Sequence, residues 1–298
     1  MKVLPGEWID VLFGGSGCKV PIKIKGSDGR TYSVQEQIGT GGNAVVCECA
    51  DEIDGMEYAI KFLTSAKDRS RLPRFELETK LIETLSTARH DHLVRFIASG
   101  TADGYFYDKR RRLLTKTTFP FFIMEKASGS LRQLITDSNE PIAPEIYSAQ
   151  FRGLVGALEI LHKHAIHRDI KPDNILVVGE RWLISDFGLC AMLEKTDGED
   201  LTLHWQIPGP RFWMSPEANN RSVGLPDEIG FASDVFQLAA VFWWVVNRRH
   251  PSGILAREDW VGLEKLFEPI SKALQHSLGR RYGTAKDFGV AVTQAINS

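Results

Sequence analysis

The chain has 298 residues, 43% of them hydrophobic and 25% charged, which is the balance of a folded globular protein and excludes disorder over most of its length. Lys and Arg number 36 against 38 Asp and Glu, a formal charge of −2, so the long-range field recruits neither nucleic acid nor an anionic membrane. The four cysteines, Cys18, Cys47, Cys49 and Cys190, lack zinc-ligand spacing and are too few for a disulfide framework, which points to a reducing compartment.

In chain order, Met1 to Phe13 carries Pro5, Glu7 and Asp10, which interrupt any signal-peptide core. Trp8, Ile9, Leu12 and Phe13 are placed to pack on a lobe or on a partner, and Val20 to Ile24 reads as one extra strand. From about Lys19 to Phe62 apolar and polar residues alternate, with turn signals at Ser27-Asp28-Gly29, Gly39 to Gly42 and Asp54-Gly55, which predicts antiparallel strands. Arg71 to Ser86 places Phe75, Leu81, Ile82 and Leu85 at helical spacing, and strands follow at Leu93 to Ser99 and Thr118 to Met124. The basic run Lys109 to Arg112, with Lys116, reads as a solvated surface loop, with docking of an acidic partner as the alternative. Ser-Gly-Ser at 128–130 reads as a pivot between two lobes whose cleft is the default ligand site. From Glu145 onward the pattern is helical: Leu154, Val155, Leu158 and Leu161 mark one helix, Ser233 to Val246 another, Leu263 to Gln275 a third, and Thr284 to Ile296 a last, opened by Thr284 with Asp287. The most apolar run, Val235 to Val246, spans only about 18 Å as a helix against roughly 30 Å of bilayer hydrocarbon, so it reads as buried.

The chemistry-bearing residues are concentrated in five motifs. They are Gly39-Thr40-Gly41-Gly42-Asn43-Ala44-Val45-Val46, Tyr58-Ala59-Ile60-Lys61, His167-Arg168-Asp169-Ile170-Lys171-Pro172-Asp173-Asn174, Asp186-Phe187-Gly188 and Ser215-Pro216-Glu217. In this order they resemble the glycine-rich loop, phosphate-binding Lys strand, catalytic loop, metal-binding segment and activation-segment end of the eukaryotic-like Ser/Thr protein kinases, from about Tyr32 to Ile296. Phosphoryl transfer is mostly positioning and charge stabilisation, so each residue has one such task. The resemblance implies that Asp169 takes the acceptor hydroxyl's proton, that Lys171 neutralises the γ-phosphate, and that Asn174 and Asp186 hold Mg²⁺ through hard oxygens. It implies that Lys61, aimed by Glu78, contacts the α- and β-phosphates of ATP. Glu78 is chosen because Leu81, Ile82 and Leu85 fall at i+3, i+4 and i+7 from it, whereas Glu76 and Glu83 break that phase.

The same resemblance assigns the nucleotide to Ile38, Gly39, Gly41, Val46, Ala59, Lys61, Met124, Glu125, Ala127 and Leu176, with Met124 as gatekeeper and Glu125 to Ala127 as hinge. It matches Ile82, His167 and Phe187 to a packed spine, Asp234 to the anchor of the catalytic loop, and Glu217 with Arg281 to a buried ion pair. Lys171 two residues after Asp169 is the Ser/Thr form. Arg168 before Asp169 implies control by activation-loop phosphorylation, with Thr196 and Thr202 as candidates. Departures from the family pattern are Ala44 for the third glycine, and Pro210 and Arg211 where a hydroxyl and an apolar residue are usual. Arg211 is expected to favour an acidic side chain after the acceptor.

The expected fold class is α+β: a bilobal protein-kinase-like fold with an extension at 1–30, a small, mainly antiparallel-β lobe with one key helix at 31–124, and a hinge and larger α lobe at 125–298. The expected function is ATP- and Mg²⁺-dependent phosphorylation of protein Ser/Thr hydroxyls, including autophosphorylation, in the cytoplasm. No nucleic-acid partner and no membrane span are expected; self-association or a partner at the N-terminal extension is. The alternatives are a pseudokinase scaffold, favoured by Ala44 and Pro210, a small-molecule kinase, opposed by Ser215-Pro216-Glu217 and Arg281, and a purely interaction module, which needs the apolar N-terminus to matter more than the cleft.

Overall fold

Alternation of inward and outward side chains governs most of the first 125 residues. A computed structural model describes residues 8–13, 16–41, 44–64, 71–107, 115–138, 140–193 and 212–298. Gly42, Asn43, the run Lys109 to Arg112, Thr196, Thr202, Pro210 and Arg211 lie outside the described residues. The chain divides into two compact units, Met1–Ser86 with Arg95–Lys126, and Thr87–Val94 with Ala127–Ser298.

The first unit is one antiparallel sheet and a helix. Its strands are β1 (Trp8–Phe13), β2 (Ser16–Pro21), β3 (Lys23–Lys25), β4 (Thr31–Thr40), β5 (Ala44–Asp51), β6 (Glu57–Leu63), β7 (Phe96–Tyr107) and β8 (Thr115–Glu125), in the order β1-β2-β7-β8-β6-β5-β4-β3. β2 and β3 lie toward opposite ends of that order, yet only Ile22 separates them in the chain, a reach of about 7 Å. The sheet must therefore curl until its ends meet, and β1 does pack against β4 and β5. Inward residues from every strand fill the interior, among them Val11, Val20, Tyr32, Cys47, Phe62 and Phe121, all at most 1% exposed. Val20 to Ile24 is thus two strands rather than one: β2 ends at Pro21, which has no N–H to donate, and Ile22 instead accepts from Val34 N at 2.6 Å. The turns at Gly29 and Gly55 adopt φ of 82° and 71°, a conformation that only glycine enters without strain.

Helix α1 (Arg71–Ser86) covers the outer face of this sheet, burying Phe75, Glu78, Leu81, Ile82 and Leu85, with Phe75 packed on Phe122 at 5.3 Å between ring centroids. Leu93 and Val94 do not join β7. Val94 N donates to Ile184 O at 3.2 Å and Ile184 N to His92 O at 2.9 Å, which ties that segment to the second unit.

The second unit is mainly helical: α2 (Leu131–Asp137), α3 (Pro144–Leu161), α4 (Pro216–Ser222), α5 (Phe231–Asn247), α6 (Glu264–Ala273) and α7 (Ala285–Asn297). Its short strands are β9 (Gly129–Ser130), β10 (Ala165–Ile166), β11 (Ile175–Val178), β12 (Arg181–Ile184) and β13 (Ala191–Met192). α5 is apolar nearly all round and therefore buried, its Phe242 stacked on Phe151 of α3 at 3.8 Å and 11°. α7 starts as expected, with Thr284 Oγ1 accepting from Asp287 N at 3.1 Å. The Ser-Gly-Ser segment read as a pivot is tied down instead: Ser128 N donates to Val177 O at 2.9 Å, β9 pairs with β11, and Ser130 forms a reciprocal capping box with Gln133 at the start of α2. No helix among the described residues is long and apolar enough to cross a membrane.

Candidate active site

In the first unit the strand period of two sorts the predicted residues onto one face. Ile60 and Phe62 of β6 point into the sheet's interior, so Ala59 and Lys61 point the other way. The register places Val46 opposite Lys61, Ala59 opposite Met124, and Lys61 opposite Phe122. Val46, Ala59, Lys61 and Met124 therefore share one outer face. Lys61 Nζ lies 2.6 Å from Glu78 Oε1, with both side chains largely buried, and 5.7 Å from the Phe122 ring centroid. Glu76 and Glu83 are exposed. Glu125 is held at both ends, its backbone N–H donating to Arg95 O at 3.0 Å and its carboxylate accepting from Arg95 N at 2.8 Å.

The glycine-rich turn lies between β4 and β5. Gly41 N donates to Ala44 O at 2.8 Å, and Ile38 is exposed. Neither Gly39 nor Gly41 has a positive φ, and a Cβ built on them meets Val46 at 3.5 Å and Ala44 O at 3.6 Å, ordinary contacts. Among the described residues nothing crowds a Cβ at either position, so the missing side chains leave room for something outside the chain. Ala44 is 8% exposed and, two residues before Val46 on β5, shares its outer face.

In the second unit Asp169 is the centre. It is 5% exposed; Lys171 Nζ donates to Oδ1 at 3.2 Å and to Oδ2 at 2.9 Å, and Asn174 Nδ2 donates to Oδ2 at 2.8 Å and to the Asp169 carbonyl at 2.9 Å. Burial pushes the Asp169 carboxyl above its ordinary 3.8, against the Lys171 hydrogen bond and charge, which pull it down. Asn174 commits both amide hydrogens to Asp169, which leaves its Oδ1 for another partner. Asp186 is exposed, with a left-handed φ of 59°. An amide oxygen and a carboxylate are hard donors that suit Mg²⁺, which takes few protein ligands and completes its shell with water and phosphate. Among the described residues no cluster of three or more His, Cys, Asp or Glu is built to hold a metal unaided. Leu176 lies in β11 opposite Ser130, and Ala127 is half-buried.

The loop carrying Asp169 is held from α5. Asp234 Oδ2 accepts from His167 N at 2.7 Å and Oδ1 from Arg168 N at 2.8 Å, beside the left-handed φ of 69° at Arg168. One turn on, Gln237 accepts from Ile170 N at 3.1 Å and donates to Arg168 O at 3.2 Å. His162 adds a 3.0 Å contact to Asp234 Oδ2. Asp234 is the anchor that the family resemblance assigns; Gln237 and His162 carry no such assignment. The signal for Gln237 was present, as a polar residue three positions after Asp234 in an otherwise apolar helix. His167 packs on Phe187 with centroids 5.6 Å apart, and Ile82 is buried on α1.

Glu217 and Arg281 form a two-point buried pair: Nη1 to Oε1 at 3.0 Å and Nη2 to Oε2 at 2.6 Å. Ser233 Oγ also donates to Glu217 Oε1, at 2.6 Å. Burial works to raise the Glu217 carboxyl, but the Arg281 and Ser233 bonds outweigh it and hold it below its ordinary 4.5.

The family model described as "Protein kinase domain" matches residues 32–277. Among curated relatives, the chain is 30% identical to the interferon-induced, double-stranded RNA-activated protein kinase of Rattus norvegicus over 69% of this chain and 39% of that protein. It is 30% identical to the serine/threonine-protein kinase pak-1 of Caenorhabditis elegans over 66% of this chain and 31% of that protein. It is 32% identical to the serine/threonine-protein kinase PknK of Mycobacterium bovis over 88% of this chain and 21% of that protein. The chain spans well under half the length of these relatives.

Proposed function

Because the chain belongs to the protein kinase domain family, of Ser/Thr type, we propose that it transfers the γ-phosphoryl group of ATP to Ser and Thr hydroxyls of proteins, with Mg²⁺ as the metal. Asp169 is the residue that accepts the acceptor proton. The observation that carries this assignment is its burial between Lys171 and Asn174, both of which donate to its carboxylate and fix where it points. Lys171, 2.9 Å from Asp169, brings a positive charge to the place where the phosphoryl group would meet the hydroxyl. Lys61, paired with and aimed by Glu78, takes the inner phosphates, and the backbone of Gly39 and Gly41 is open to their approach. Val46, Ala59 and Met124 on the Lys61 face, with Leu176, Ile38, Glu125 and Ala127, take the adenine end.

Asn174 and Asp186 are the residues that would hold Mg²⁺, which when bound neutralises phosphate charge. Arg168 directly precedes Asp169, which supports autophosphorylation on Thr196 or Thr202 as a means of control. Localisation in the cytoplasm is proposed on the cysteines alone, since Cys18, Cys47 and Cys49 are buried thiols rather than disulfides.

The test is Mg²⁺-dependent transfer from γ-labelled ATP to a generic Ser/Thr substrate, alongside Asp169→Asn. The expected result is label on the protein substrate, with a rate lower by about 10² to 10⁴ in the variant at retained nucleotide binding. An unchanged rate in Asp169→Asn removes the proton-accepting role. Nucleotide binding without transfer in the wild type favours the pseudokinase scaffold, and label on small molecules alone favours a small-molecule kinase.

A further inference from the structure

The hairpin of β1 and β2 precedes the matched family region, which begins at residue 32, and nothing in the phosphoryl-transfer assignment uses it. It is nevertheless a well-anchored part of the first unit. Val11 is fully buried in the sheet's interior, the Trp8 ring meets Tyr105 edge-on at 5.2 Å, and Lys19 pairs with Asp10 at 3.0 Å. β2 continues the ladder onto β7. The opposite edge of β1 faces β4, and one side chain bridges that gap. Gln37 Oε1 accepts from Leu12 N at 2.8 Å, and its Nε2 donates back to Leu12 O at 2.9 Å, so the amide occupies both backbone groups as a neighbouring strand would. The second Nε2 hydrogen goes to Thr40 Oγ1 at 2.6 Å. Three of the four hydrogen bonds open to the Gln37 amide are thus made.

The backbone explains why Gln37 can do this. Between the pairs Val34–Cys49 and Gln37–Cys47, and again between Gln37–Cys47 and Gly39–Val46, β4 carries one residue more than β5. Two successive bulges flank Gln37, and bulges re-aim the side chains beside them. Thr40 is the last residue of β4, between Gly39 and Gly41, and pairs with Val45. A continuous chain of contacts runs from Leu12 of β1 through Gln37 to Thr40 in the glycine-rich turn.

We propose that Gln37 is a positioning residue, through which the N-terminal hairpin holds the glycine-rich turn at a set height. This rests on the assignment of Gly39 and Gly41 to the phosphates of ATP. The hairpin supplies a rigid anchor because its buried Val11 belongs to the core, and the turn needs one because glycine backbone is the most costly to order. Losing the tether leaves the turn formed but less ordered, a loss that appears in nucleotide affinity more than in turnover.

The test uses the full chain with two variants, Gln37→Met, which keeps volume and loses all three bonds, and Thr40→Val, which cuts only the link to the turn. Hydrogen exchange without nucleotide is the first readout. Gln37→Met should speed exchange at the amides of Leu12 and Gly41, whereas Thr40→Val should speed Gly41 and leave Leu12 protected. The second readout is the KM for ATP, expected to rise about three- to tenfold in both variants, the range of one net hydrogen bond, with a smaller change in kcat. The double variant should be no worse than Gln37→Met, since both changes cut one chain. Unchanged Gly41 exchange in either variant overturns the coupling, and so does faster exchange with an unchanged KM. If Gln37→Met loses the fold, Thr40→Val carries the test. If the wild type binds no ATP, the phosphate assignment fails, and the exchange result decides the tether separately.

Discussion

Replacing Arg281 by Met should expose how the Glu217 pair works. In the native protein Glu217 and Arg281 are 2% and 6% exposed, and the guanidinium makes both carboxylate bonds as well as bonds to Ala232 O and His276 O, at 3.0 and 3.1 Å. Arg281→Met keeps most of the volume over Phe236 but leaves a buried carboxylate with the Ser233 hydroxyl and a backbone N–H as donors and no counter-charge. Breaking a buried pair from one side costs about 3 to 5 kcal/mol, which is about 1 to 2 M in urea midpoint for an m-value near 3 kcal/mol/M. The pH dependence has a definite sign. In the wild type Glu217 sits below its ordinary 4.5, so its contribution is fully present above that value and is lost only as pH falls through the folded value. In the variant burial acts unopposed by the guanidinium, the folded carboxyl moves up instead, and a proton relieves the penalty. The stability difference between wild type and Arg281→Met should therefore be largest at pH 7 to 8 and narrow toward pH 5. Urea unfolding of both proteins at several pH values measures it. A difference below about 1 kcal/mol at pH 7, or one that widens as pH falls, would refute the reasoning. Adding Glu217→Gln to the variant should recover part of the loss at pH 7.

Three further outcomes are expected. Because burial raises Asp169, the acid limb of kcat/KM against pH should lie above the ordinary carboxylate range, and Lys171→Met, which removes the group pulling it down, should move that limb higher still; a downward move would contradict the assignment. Gln237→Leu leaves Ile170 N and Arg168 O without their partner, so it should destabilise by about 1 to 3 kcal/mol and lower kcat more than it raises the KM for ATP, as steady-state kinetics beside thermal unfolding would show. Cys18, Cys47 and Cys49 are fully buried with thiols pushed by burial up to about 12, so a disulfide reagent should titrate only Cys190 quickly in the folded protein and all four after unfolding; fast reaction of a second thiol would show that the sheet's interior opens.

The motif residues around Asp169 and the strand of Lys61 were legible because each sits within a few positions of its neighbours in the chain. Lys171 and Asn174 reach Asp169 across 2 and 5 residues. The helix at Arg71–Ser86 was legible to the residue, because its buried positions repeat at helical spacing and Glu78 shares their phase. Other features had no local signature. Gln37 meets Leu12 across 25 residues, Gln237 meets Ile170 across 67, and His162 meets Asp234 across 72. Ser128 to Ser130 had the composition of a flexible link, yet it forms a strand pair and a helix cap, because Ser and Gly serve caps and tight approaches as readily as loose turns.

The sequence by itself determined the class of most segments and the organisation into a mainly β and a mainly α part, and it supplied the residues proposed for the candidate site. These follow from periodicity and from short-range spacing, which are properties of neighbouring residues. The tertiary structure decided that the sheet curls until β1 faces β4, that two bulges aim Gln37 across that gap, and that α5 holds the loop of Asp169 by accepting three backbone N–H bonds on Asp234 and Gln237 and donating one from Gln237 to the Arg168 carbonyl. Such contacts join residues far apart in the chain, and their geometry is set by how whole strands and helices pack, which no local pattern encodes.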